Sequence, residues 1–197
     1  MAEVQHGDFV FTQIGSDLNA ISVVTEGYRG AKLNHMGVAV TNTKGTFVLE
    51  AFPPEVRLTQ IDVFLRRSND PTTKPRFMIG RLTAPFRPLI PAAIEFGVQQ
   101  RNVPYDDLYL DDARSLYCSE LVVDMYRYAN GGVPFFQERP MSFRDKTTGE
   151  VYPAWVLYYK HFGMPVPEGE PGSNPGDISR DVRIVIVDVV GNITGYT

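Results

Sequence analysis

Along this chain, short stretches that alternate apolar and polar residues give way to longer stretches with apolar residues every three to four positions. Residues 8–11 read as a short strand entered from a turn at Gly7. Ser16 is placed to cap a helix over residues 17–25, with Leu18, Ile21 and Val24 or Thr25 on one face and the Gly27 to Gly30 stretch as its stop. Residues 34–41 and 46–52 alternate as strands, and Asn42-Thr43-Lys44-Gly45 between them is turn chemistry, so a hairpin is predicted. A further short strand is expected over 57–61, a polar loop over 68–75 and a strand over 76–83. Pro85, Pro88 and Pro91 then separate that strand from a helix over 92–100.

The clearest helix covers residues 116–130. Cys118, Leu121, Val122, Met125 and Ala129 fall on one stripe, and Gly131-Gly132 ends it. Pro153 suits the first turn of another helix running to His161. A loop rich in proline and glycine over 163–176 precedes a closing strand over 182–190. Hairpins mixed with helices predict an α+β domain spanning 1–197, and not a doubly wound parallel sheet.

Composition narrows the function classes. With 197 residues, 43% of them apolar, the chain can bury a core without staples. Its single cysteine rules out an intrachain disulfide and leaves a cysteine-ligated zinc site short of ligands, so no metal or cofactor is expected. A net charge of -4 argues against nucleic acid or an anionic membrane surface as the main partner. No leader-like start and no spanning apolar run are present, so the chain is expected to be soluble, either cytoplasmic or exported with its leader trimmed. No nucleotide-binding loop or serine-hydrolase elbow is found.

The chemistry that remains centres on Cys118. A lone cysteine is most often an inert core residue. This one lies in the first turn of a helix, after a loop, where free backbone N–H groups and the helix dipole favour a thiolate. The dipole contributes only about 0.3–1 kcal/mol, less than one tenfold step in acidity, so a cationic neighbour is also needed. Of the three histidines, His6 lies near the N-terminus and His161 at a helix end. His35 opens a strand whose same-face partners, Gly37 and Ala39, are small. If Thr41 pairs with Thr46, His35 lies opposite Phe52, and Glu50 sits on the same face one diagonal away, about 7–8 Å between backbones. A one-residue slip would put His35 and Glu50 on opposite faces. Cys118, His35 and Glu50 then form a nucleophile, a base and a group that orients the base.

Five blocks carry a resemblance: residues 7–11, residues 34–40 around His35, residues 48–51 around Glu50, Pro104-Tyr105-Asp106, and Tyr117-Cys118-Ser119-Glu120-Leu121-Val122. In this order, together with Asn174-Pro175-Gly176-Asp177-Ile178, they resemble the YiiX-like branch of circularly permuted NlpC-type papain-like enzymes. The resemblance implies a small antiparallel barrel or sheet packed against helices, with the histidine strand preceding the cysteine helix. It implies Cys118 as nucleophile, His35 as base and Glu50 as third member, with Tyr105 matching an oxyanion-site tyrosine. For Tyr105 the alternative is a packed aromatic residue. Tyr117 adjoins the nucleophile and is expected to pack, since neighbours on a helix point to different faces, with an oxyanion or substrate contact as its alternative.

The resemblance further implies a cysteine hydrolase acting on an amide bond of a small peptide, a cell-wall peptide or an N-acyl amino acid. Acyl transfer or lipid modification at the same site is the alternative, with a lipid-like substrate. A non-catalytic binding domain is the third reading. The aromatic segments 105–109, 135–136 and 155–159 serve either as a substrate groove or as core. The acidic residues Asp106, Asp107, Asp111 and Asp112 read as a solvated loop, without the spacing of a calcium loop.

Overall fold

The computed structural model describes residues 3–16, 18–110 and 114–197. In chain order the elements are β1 (Phe9–Thr12), α1 (Ala20–Val24), β2 (His35–Asn42), β3 (Gly45–Phe52), β4 (Glu55–Gln60), α2 (Ile61–Arg66), β5 (Phe77–Leu82), α3 (Ile90–Gln99), α4 (Cys118–Ala129), β6 (Arg139–Pro140), α5 (Pro153–His161), β7 (Pro171–Gly172), α6 (Pro175–Ser179) and β8 (Ile184–Val190). Six strands form one antiparallel sheet in the order β4-β3-β2-β1-β5-β8, open at β4 and β8 and not closed into a barrel. β6 and β7 form a separate two-stranded ribbon. Among the described residues no helix is long and apolar enough to cross a membrane.

Each face of the sheet carries its own core. On one face Met36 and Val38 of β2 and Leu49 of β3 pack in the same cluster as Leu121, Val122 and Met125 of α4. Each fully buried side chain of this kind contributes about 1.5–3 kcal/mol. Gly97 lets α3 close down on this layer: a Cβ there would lie 2.6 Å from Leu49 and 2.7 Å from Met125. On the other face Val10, Ala39, Val48 and Phe64 form a second cluster, so the small side of β2 admits α2 and its Phe64. Phe135 and Phe136 belong to the main core, against Tyr126.

The predicted hairpin forms with Thr41 opposite Thr46 and Val38 opposite Leu49. Other boundaries move for local reasons. α1 starts at Ala20 and is capped by the Asn19 side chain, which accepts from Ile21 and Ser22, in place of Ser16. Asp17, expected in this helix, lies outside the described residues. α4 begins at Cys118 and not at 116, because Leu116 bridges to Tyr105 in extended conformation. The strand expected over 57–61 starts at Glu55 and runs directly into α2, which the sequence pattern did not announce. The loop over 163–176 contains β7 and the start of α6, capped by Asn174. Asp106 is buried, not solvated. Its carboxylate accepts the Leu108 and Leu110 N–H groups at 2.7 Å each. Asp111 and Asp112 lie outside the described residues.

Candidate active site

His35 is the first residue of β2 and Cys118 the first residue of α4, so the two meet where strand and helix begin. Nε2 of His35 lies 2.6 Å from Oε2 of Glu50, the diagonal neighbour across the hairpin. The other ring nitrogen, Nδ1, is not engaged by Glu50, and Cys118 is near enough to raise the pKa of the ring. His35 and Cys118 are each 5% exposed, and Glu50 is fully buried. Phe52 and Phe64 flank the imidazole, with ring centres 5.2 and 5.3 Å away.

Burial alone would lower the pKa of this imidazole. Hydrogen bonds to Cys118 and Glu50, and the charges of both, outweigh that and raise it to about 9. For Glu50, burial pushes the pKa up, but the His35 hydrogen bond and charge, Arg67 and Thr59 together hold it below the usual carboxylate range. Two residues that sequence reasoning missed do part of this work. Thr59 of β4 donates to Oε1 of Glu50 at 2.5 Å, and Arg67, just after α2, donates to the same oxygen at 2.5 Å. The Arg67 guanidinium also stacks on Phe52, 4.0 Å from the ring centre, which holds it in place. Arg67 lies beyond an unannounced helix, so no spacing in the sequence pointed to it.

The helix carrying Cys118 is capped by its own sequence. The Glu120 side chain accepts the Tyr117 backbone N–H at 3.1 Å. The Cys118 N–H, as the first of the helix, has no intrahelical acceptor. A cleft of about 220 Å³ opens beside the sulfur. Its apolar wall includes Ile21, Val24, Tyr109 and Trp155, and Asn174 lies on its polar side. Ser119 also lines it, with a buried hydroxyl that has no hydrogen-bond partner among the described residues.

Tyr105 does not line this cleft. Its hydroxyl is 3.4 Å from that of Tyr109, and burial, followed by the nearby Tyr109 and Cys118, pushes its pKa up, so the phenol stays protonated. Tyr117 does line the cleft, but its hydroxyl is committed to Ser173, whose N–H it accepts at 3.0 Å. Cys118, His35 and Glu50 are therefore brought together, Tyr105 stands outside the cleft lining beside Tyr109, and Tyr117 is a wall residue.

A family model described as permuted papain-like amidase enzyme, YaeF/YiiX, C92 family, matches residues 3–174. A crystal structure described as the metalloprotein YiiX from Escherichia coli O157:H7 superposes with a TM-score of 0.74 at 20% identity, over 94% of this chain and 97% of the other. No curated protein matches the chain. The YiiX structure bears on a metal through its description, but among the described residues of this chain no three His, Cys, Asp or Glu side chains gather where an ion would sit.

Proposed function

The chain belongs to the YaeF/YiiX, C92 family of permuted papain-like amidases, and on that premise we propose that Cys118, His35 and Glu50 carry out its amide cleavage. The observation supporting this is that one imidazole is shared by the other two members: it lies 2.6 Å from Glu50, and Cys118 is close enough to raise its pKa.

In this reading the sulfur of Cys118, held as a thiolate by the His35 imidazolium, adds to the carbonyl carbon of the amide. The oxyanion accepts from the Cys118 backbone N–H, and Tyr105 is a second donor if its hydroxyl turns from Tyr109 toward the cleft. The Nδ1 proton of His35 passes to the leaving nitrogen as the C–N bond breaks, and a thioester remains on Cys118. Water then adds to the thioester as His35 takes its proton. Collapse releases the carboxylic acid and restores the imidazolium–thiolate pair. Glu50 orients the ring and stabilises its charge, and Arg67 and Thr59 keep Glu50 ionised and in place.

The substrate in this reading is a small peptide, a cell-wall peptide or an N-acyl amino acid. The apolar wall of Ile21, Val24 and Trp155 favours an acyl chain on the thioester side. That supports a second reading in which the acyl group passes to an acceptor other than water. The test is alkylation. Iodoacetamide should modify Cys118 below pH 7 faster than it modifies glutathione, and His35→Ala should slow it. Rates equal to glutathione in both proteins would overturn the proposal. Intact mass after incubation with acyl donors separates the readings: hydrolysis gives turnover with no lasting adduct, and transfer gives an acylated chain.

A further inference from the structure

The cleft beside Cys118 is locally positive in a chain of net charge -4. Arg139, Lys146 and Arg180 line it, against Glu26 and Asp177. Two of the three cations are matched. Lys146 Nζ lies 3.4 Å from Glu26, and Arg180 is bonded to Asp177. Arg139 has no acidic partner among the described residues, and its neighbour Glu138 faces Arg127.

The backbone under Arg139 is anchored. β6 pairs with β7, Arg139 opposite Gly172, and Met141 packs so close to Gly172 that a Cβ there would lie 2.5 Å from its sulfur. Arg139 also lines a second hollow of about 500 Å³, which shares Ser173, Asp177 and Arg180 with the first. In that hollow Arg183 is paired with Asp181, so Arg139 is again the unmatched cation, now at the junction of the two spaces.

We propose that Arg139 is a specificity residue that selects amide substrates bearing a carboxylate close to the bond being cut, as in an acidic peptide or an N-acyl amino acid with a free carboxyl group. This rests on the amidase reading of Cys118. A guanidinium offers a planar fork that matches a carboxylate with two parallel hydrogen bonds. A cation already neutralised by a neighbour would have to break that pair first, and Arg139 has none to break.

Iodoacetate and iodoacetamide test this without knowledge of the natural substrate. In both, the Cys118 sulfur displaces iodide, and the reagents differ only in carboxylate against carboxamide. The ratio of their rates cancels changes in the reactivity of the sulfur itself. The His35 imidazolium favours the anionic reagent equally in all variants. At low ionic strength the iodoacetate-to-iodoacetamide ratio should fall about three- to tenfold in Arg139→Gln, fall further in Arg139→Glu, and be partly kept in Arg139→Lys. The difference should shrink as salt is raised. An unchanged ratio in Arg139→Gln and Arg139→Glu, with Cys118 still reacting quickly, would overturn this inference and leave the amidase reading standing. Slow modification by both reagents in the unsubstituted protein would remove both.

Discussion

Gly37 lies one step beyond the Val38–Leu49 pair of the β2–β3 hairpin, and a Cβ there would lie 3.2 Å from the Cβ of Glu50. It would also lie 2.5 Å from Val48 Cγ1 and 2.7 Å from the Leu49 carbonyl oxygen. The bare position lets Glu50 cross the strand diagonally to reach His35. Gly37→Ala should therefore destabilise the fold by about 1–3 kcal/mol and slow alkylation of Cys118 by pulling Glu50 off the ring. Urea unfolding measures the first effect and iodoacetamide rates the second. A variant as stable and as reactive as the parent would show that the close approach is unimportant.

The imidazole of His35 should also make stability depend on pH. Its pKa rises from the ordinary 6.5 to about 9 on folding. The folded state thus holds a proton that the unfolded state releases between these values. The contribution of this group is fully present below about pH 6.5 and is lost as pH climbs toward 9. His35→Gln should flatten that slope in unfolding free energies measured from pH 6 to 9. An equal slope in both proteins would assign it to other groups.

Glu50 should act in the opposite direction. Its pKa is lowered on folding, so its contribution is present above the usual carboxylate value of 4.5 and disappears as pH falls below it. Glu50→Gln keeps the shape but removes the charge that both His35 and Arg67 face. The acid limb of the stability curve should flatten, and kcat should drop by about 10²–10⁴-fold, as when the orienting carboxylate of a triad is neutralised. Steady-state kinetics and acid titration of unfolding check the two halves separately.

Tyr105→Phe removes a hydroxyl whose neighbour is the Tyr109 hydroxyl at 3.4 Å. If it is an oxyanion donor, that hydroxyl is needed in the transition state and not for binding. The variant should lose about 10–10³-fold in kcat with KM nearly unchanged, and should unfold at about the same urea concentration as the parent. A loss of stability with kcat intact would return Tyr105 to the packed-aromatic alternative.

The features legible in the residues alone lie close together along the chain. The turn Asn42 to Gly45 sets the pairing of Thr41 with Thr46, and the two-residue period then puts His35 and Glu50 on one face. The apolar stripe of Leu121, Val122 and Met125 and the glycine stop define α4, with Cys118 at its start. Turn chemistry and periodicity are local properties, so they survive reading without coordinates. Packing in three dimensions sets which face α4 covers, puts Phe64 of α2 on the small side of β2, and brings Arg67 to Glu50 from 17 residues away. The same holds for the cleft, whose wall joins α1 and α5 through the Trp155 side chain bonded to the Ala20 carbonyl, 135 residues apart, and for Arg139 at its edge. Six residues are too few for α2 to show a helical period. Contacts between distant segments are set by packing and charge pairing in three dimensions, which no spacing along the chain records.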